Sequence, residues 1–280
     1  VSEVAVTVTG TGAPIVDTTG LAQYWNFDEA PEESLTRTRG ANTGGYWLKP
    51  SRVGFGLGDI YQEGDHYAHF NTNLKTPCAD NLTFAYWMYH DDPVDTSKIG
   101  TVTYSRVFNS SLVTVQYNNT EAKPSFIVYL TNVSGLGGWK FTSAGLDGAN
   151  LRNGSVKQRW THVAIVMDFS EYKGAEMPPK DRVRFYIDGE SVACAKIEVD
   201  GTPKEGDDYV IRRRTENGGS SAIGGIGTNN RYFPGVLDEI RYYTRALSQD
   251  EVRRLAFDFS PMNRAPIVEV PTALKATQRQ

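Results

Sequence analysis

The sequence predicts an all-β protein: a two-sheet antiparallel β-sandwich with one short helical turn near its C-terminal end. Three observations carry this. The 280 residues include 27 Gly, 15 Tyr, 12 Phe and 5 Trp but only 4 Met and 2 Cys, a skew toward turn-formers and strand-formers. Short runs of alternating apolar and polar residues recur along the chain. A single stretch has helical spacing. Hydrophobic residues at 39% and charged residues at 22% fit an ordinary globular chain. The balance of 29 Lys+Arg against 33 Asp+Glu gives −4, which offers no electrostatic reason to expect nucleic acid or an anionic membrane as partner. No apolar run approaches the ~20 residues of a membrane span. The length allows one large domain or two small ones, and the pattern favours one sandwich over 20–258, flanked by 1–19 and 259–280.

Taken in order, Val4, Val6 and Val8 alternate with polar neighbours, as a strand does. This segment reads as a flexible leader or as the last strand of a preceding domain. No signal peptide opens the chain, and Val1 stands first, so it is expected to be a piece of a longer protein. Leu82, Phe84, Tyr86 and Met88 share one face of a strand whose other face carries Thr83, Ala85 and Trp87. In Ser125–Leu130, Phe126, Val128 and Leu130 alternate with Ile127 and Tyr129. Trp160 to Met167 is apolar on both faces, as a central sandwich strand should be. Val183, Phe185 and Ile187 point inward against Arg184, Tyr186 and Asp188. Asp188–Gly189 then supplies a type I′ hairpin turn. The helical stretch has Ser248 as N-cap, Gln249, Asp250 and Glu251 in its first turn, and Val252 and Leu255 on one face. Beyond Phe259, two prolines bracket Ile267, Val268 and Val270, which resembles the opening of an immunoglobulin-like repeat in a multidomain surface protein.

Four segments, in chain order, resemble the laminin-G-like / concanavalin A-like jelly roll, particularly its bacterial extracellular form. They are Tyr24–Glu29; Leu82–Met88; Trp160–Ala164 leading to Phe185–Gly189; and Gly235–Tyr243 leading to Arg245–Ser248. The resemblance covers roughly 20–258 and implies a jelly-roll fold and a secreted or cell-surface setting. Function on this fold ranges over lectins, adhesive modules and glycan-cleaving enzymes.

Catalysis on this scaffold needs two carboxylates facing each other across a groove. The acidic pairs Asp28–Glu29, Asp91–Asp92, Asp207–Asp208 and Asp238–Glu239 are adjacent in sequence, and neighbours in a strand point to opposite faces. No Glu-x-Asp-x-Glu run, HExxH, CxxC pair or phosphate-cradling glycine loop is present. His66 and His69 flank a strand, His90 falls in a turn and His162 lies within the Trp160 strand; a structural role is the expectation for each. Asp238 alternates with Val236, Ile240 and Tyr242, and a carboxylate on an apolar face must be paired, hydrogen-bonded or metal-bound. Asp28 follows the first strand and is expected near it. Asp28 and Asp238 with loop carbonyls are an oxygen donor set of the kind calcium takes, and the resemblance implies that structural calcium is common on this fold; the alternative is that Asp238 accepts backbone N–H groups.

Sugar binding needs an exposed ring and fixed polar groups. Tyr46 and Trp47 after Gly44–Gly45, Trp139 after Gly137–Gly138, and Tyr232–Phe233 before Pro234 are the candidate stacking residues, each also able to cap an end of the core. Arg212–Arg213–Arg214 is a basic patch that either meets an anionic glycan or protects an edge strand. Cys78 and Cys194 either pair or remain free thiols. Asn81, Asn109, Asn118, Asn132 and Asn153 begin sequons. The expectation is a non-catalytic carbohydrate-binding or adhesive module, its partner a glycan or cell-surface glycoconjugate, with no membrane insertion and with neighbouring domains in a longer chain. The rivals are a glycoside hydrolase or polysaccharide lyase on the same fold, and a structural spacer or protein-binding module.

Overall fold

The computed structural model describes residues 17–28, 32–33, 38–39, 41–42, 47–50, 55–58, 70–90, 104–118, 124–130, 139–146, 156–169, 182–199, 202–204, 218–224, 233 and 235–257. These form β1 (Leu21–Trp25), β2 (Glu32–Glu33), β3 (Thr38–Arg39), β4 (Ala41–Asn42), β5 (Trp47–Pro50), β6 (Phe55–Gly58) and β7 (Phe70–Lys75). There follow β8 (Asn81–His90), β9 (Tyr104–Asn109), β10 (Val113–Asn118), β11 (Ser125–Leu130), β12 (Trp139–Ser143) and β13 (Trp160–Asp168). The chain continues through β14 (Val183–Ile187), β15 (Glu190–Val192), β16 (Cys194–Val199), β17 (Thr202–Lys204), β18 (Ser220–Ile223), β19 (Gly235–Tyr243) and helix α1 (Gln249–Phe257).

An eight-stranded sheet runs β15-β14-β13-β8-β19-β6-β5, with β1 also on β19, and a nine-stranded sheet runs β17-β16-β12-β11-β10-β9-β18-β7-β4. β2 and β3 form a separate two-stranded ladder. The strands pair antiparallel throughout. Period-2 alternation decides what fills the space between the sheets. Leu82, Phe84, Tyr86 and Met88 of β8 meet Val163, Ile165 and Met167 of β13 in a core that Val113, Val115 and Tyr117 of β10 close from the other sheet. Phe84 and Phe108 touch across the sandwich with ring centroids 4.8 Å apart. Each such ring contributes roughly 1.5–3 kcal/mol by leaving water.

The outer face of the eight-stranded sheet is apolar where α1 lies on it. Ala85, Ala164, Val166, Tyr186 and Tyr243 pack beneath Val252 and Leu255, so Tyr186 is outward-facing, as alternation predicts, but buried. The helix starts where a capping box places it: Ser248 Oγ accepts the Glu251 N–H at 3.3 Å, and Glu251 Oε2 accepts the Ser248 N–H at 2.8 Å. The Asp188–Gly189 turn has φ of 50° and 80°, as a type I′ hairpin requires. His90, expected in a turn, instead ends β8 and is buried against Tyr117 and Phe233.

Candidate functional site

The site is built where the first and last strands meet. One edge of β19 pairs with β8. Its other edge is shared: β6 takes Val236 and Leu237, and β1 takes Ile240 to Tyr243. Asp238 and Glu239 fall in the gap between those two partners. Against β8 the register jumps there, from Asp238 opposite Trp87 to Arg241 opposite Ala85, which is one residue too many and therefore a bulge. Glu239 takes the strain with φ of 51°. Its N–H donates to Asp238 Oδ1 at 2.7 Å.

The bulge corrects one expectation about Asp238. Strict alternation set it on the core face with Ile240 and Tyr242. The extra residue reverses the order, so Leu237, Ile240 and Tyr242 enter the core, while Asp238 faces outward beside Trp87. It is nonetheless only 1% exposed.

Tyr24, opposite Arg241 in register, completes a buried polar cluster. Its O–H donates to Glu239 Oε1 at 2.8 Å and Oε2 at 2.7 Å. Arg241 donates through Nη2 to Glu239 Oε2 and through Nη1 to the Glu239 carbonyl. The Arg241 guanidinium lies over the Tyr24 ring, 4.8 Å from its centroid. Arg241 is 2% exposed and Tyr24 fully buried, so these charges persist only because they are paired. Burial drives the Tyr24 phenol far above its ordinary range. It is held protonated as a donor, the reverse of an activated nucleophile.

Asp28 lies just beyond β1, where its Oδ2 accepts from Asn26 Nδ2 at 3.0 Å. Asp28 and Asp238 thus each have a hydrogen-bond partner of their own. Among the described residues, no group of three or more His, Cys, Asp and Glu side chains is placed to hold a metal.

Of the expected stacking rings, Tyr46 and Tyr232 lie outside the described residues, as do His66, His69 and Arg212–Arg214. Trp47 opens edge strand β5 rather than sitting in a loop, with its backbone opposite Gly58. Trp139 is corrected from a loop tip to the first residue of β12, 3% exposed and part of the core. A ring so placed offers no face to a ligand, and neither does Phe233, expected in a loop but 2% exposed with its ring against His90. His162 is buried against the Trp87 ring, 5.3 Å between centroids. Cys78 and Cys194 are thiols and are not joined in a disulfide. Asn81 and Asn109 use their side chains structurally: Asn81 accepts the Phe169 N–H, and Asn109 accepts from Arg106 and Thr114.

Glu239 and Arg241 were missed as polar partners, because strict alternation puts them on the face opposite Asp238 and gives no sign of the bulge. On the outward side of the nine-stranded sheet, Lys140 and Lys196 both pair with Glu198, at 2.7 and 2.9 Å, partners that no motif in the sequence signals.

Residues 62–253 match the family described as the concanavalin A-like lectin/glucanases superfamily. The chain belongs to this superfamily. Among solved structures it is similar to domain 4 of AbnA, an extracellular arabinanase from Geobacillus stearothermophilus in complex with arabinotriose. There the TM-score is 0.52 at 15% identity, covering 84% of this chain and 98% of that one. The binding domain of Paraclostridial Mosquitocidal Protein 1 matches with a TM-score of 0.55 at 12% identity, over 85% of this chain and 52% of that one. The receptor-binding domain of botulinum neurotoxin C/D mosaic serotype matches at 0.55 and 11% identity, over 86% and 51%. The chain spans about half the length of these two toxin domains. At such identities the likeness shows the fold alone. No curated protein matches the sequence significantly.

Proposed function

We propose that this chain is a non-catalytic carbohydrate-binding module of a secreted or surface-anchored multidomain protein. The observation that carries the reading is the match to nearly the full length of a domain found in complex with arabinotriose. The β1–β19 cluster supports it as scaffold: a pinned strand junction holds neighbouring loops in one arrangement, which lowers the ordering cost of binding a flexible sugar chain. The test is a glycan array probed with the folded chain. Retention on one class of glycan supports the reading, and retention on none overturns it.

A second reading, recognition of a protein receptor, draws on the similarity to receptor-binding toxin domains. A protein ligand recovered by pull-down, with an empty glycan array, would favour it.

Calcium belongs among the proposals. Asp28 and Asp238 supply oxygen donors of the kind calcium takes, but only two side chains toward its usual six to eight oxygens, so backbone carbonyls would have to provide the rest. Bound there, the ion would tie the end of β1 to the β19 bulge. The expected outcome is a melting temperature that rises with added calcium and falls back on chelation, and a curve indifferent to both counts against the ion.

A further inference from the structure

Two hydroxyls are sealed inside the sandwich without a partner in the protein. Tyr86 of β8 and Ser105 of β9 are both 0% exposed, and neither side-chain oxygen makes a hydrogen bond to another protein atom. Most buried polar groups are paired, because a hydroxyl taken out of water loses the bonds it had there. Phe and Ala would fill the same two positions without that cost.

Packing and register bring the two hydroxyls to one end of the core. Tyr86 belongs to the inward row of the eight-stranded sheet, and its ring centroid lies 6.5 Å from that of Phe126 on the opposite sheet. Tyr117 meets the same Phe126 ring at 5.3 Å. Ser105 stands directly opposite Tyr117 in the register of β9 and β10. Directly opposed residues share a face of the sheet, so Ser105 also points into the core. His90 packs beside Tyr117, with 4.9 Å between ring centroids. Burial, with the Tyr117 phenol nearby, pushes the Tyr86 phenol well above its ordinary range. Tyr86 therefore keeps its proton and can donate it, while Ser105 can donate or accept. A group that satisfies both must be small, neutral and able to accept and donate at once.

We propose that this end of the core is a site for an ordered water molecule, which accepts from the Tyr86 hydroxyl and donates to Ser105 Oγ. Tyr86 stands on the eight-stranded sheet and Ser105 on the nine-stranded one, so the water is a polar tie between two layers otherwise held by apolar contact. Buried waters act in this way where they meet groups the protein leaves unpaired. The site is interior, and its test is independent of what the surface of the module binds.

The test compares urea unfolding of the wild type, Tyr86→Phe, Ser105→Ala and the double variant. Each single substitution is expected to raise the unfolding equilibrium constant about five- to tenfold. The double variant is expected to fall clearly short of the product of the two, because either change already releases the water. A second measurement, magnetisation transfer from water to the Tyr86 and Phe126 ring protons in the wild type, is expected to show a water of long residence. Tyr86→Phe as stable as the wild type or more so, single effects that simply multiply, or rings that receive no transfer from water would each overturn the site.

Discussion

Glu239 occupies the bulge in β19 with a positive φ, accepts the Tyr24 phenol and carries the charge that balances the buried Arg241 guanidinium. Removing one partner of such a pair leaves an uncompensated charge out of water, which costs about 3–5 kcal/mol. Glu239→Ala should therefore lower unfolding free energy in urea by that amount. Tyr24→Phe keeps the ring under Arg241 and removes only a donor to a charged acceptor, worth about 1.5–3 kcal/mol. If both variants unfold with the wild type, the cluster is no brace. Buried Asp238 was legible from sequence because a carboxylate in an apolar strand stands out. The face it points to was not, because one inserted residue resets alternation and nothing in single-residue preference announces the insertion. Trp139 misled for a related reason: a glycine pair reads as a loop tip, yet Trp139, Phe141 and Ser143 alternate as buried positions of a strand.

Helix α1 shows an element held by a few well-placed groups. Its Glu251 accepts from the Ser248 N–H and from Arg245 Nη2 at 2.6 Å. The hydrogen bond from Arg245 is the main cause that brings its carboxyl down to about 2 from the ordinary 4.5. A folded-state value below the unfolded one adds stability that is present in full above about pH 4.5 and lost as pH falls toward 2. The stability gap between wild type and Glu251→Gln should thus be constant near neutrality and shrink through that window. A gap that holds steady down to pH 2 would contradict the pairing. The elements most fully legible in the sequence were those with a local rule: the capping box at Ser248–Glu251, the Asp188–Gly189 turn, and the clean alternation of β8 and β14. The sharing of one β19 edge between β1 and β6 follows no local rule, since β1 pairs there across more than two hundred positions and β6 across 178 and 180.

At the scale of the molecule, the match over residues 62–253 places the chain in the concanavalin A-like superfamily, and its described residues form two large antiparallel sheets with a helix on an outer face. A sandwich of this kind holds its core by apolar alternation and leaves its outer faces free to differ, so fold and function separate physically. The fold was legible because core alternation repeats in many strands. The pairings on the outer faces were not, because outward polar residues carry no period that tells a solvated surface from a binding one, and only strand register brings Lys140, Lys196 and Glu198 together.

The proposal that this sandwich binds carbohydrate without cleaving it is tested by placing the folded chain on a broad glycan array, with bound glycans recovered and weighed after long incubation. Saturable retention of one glycan class, recovered intact, is the expected result. An array that stays blank, or glycans that return as shorter fragments, would contradict it.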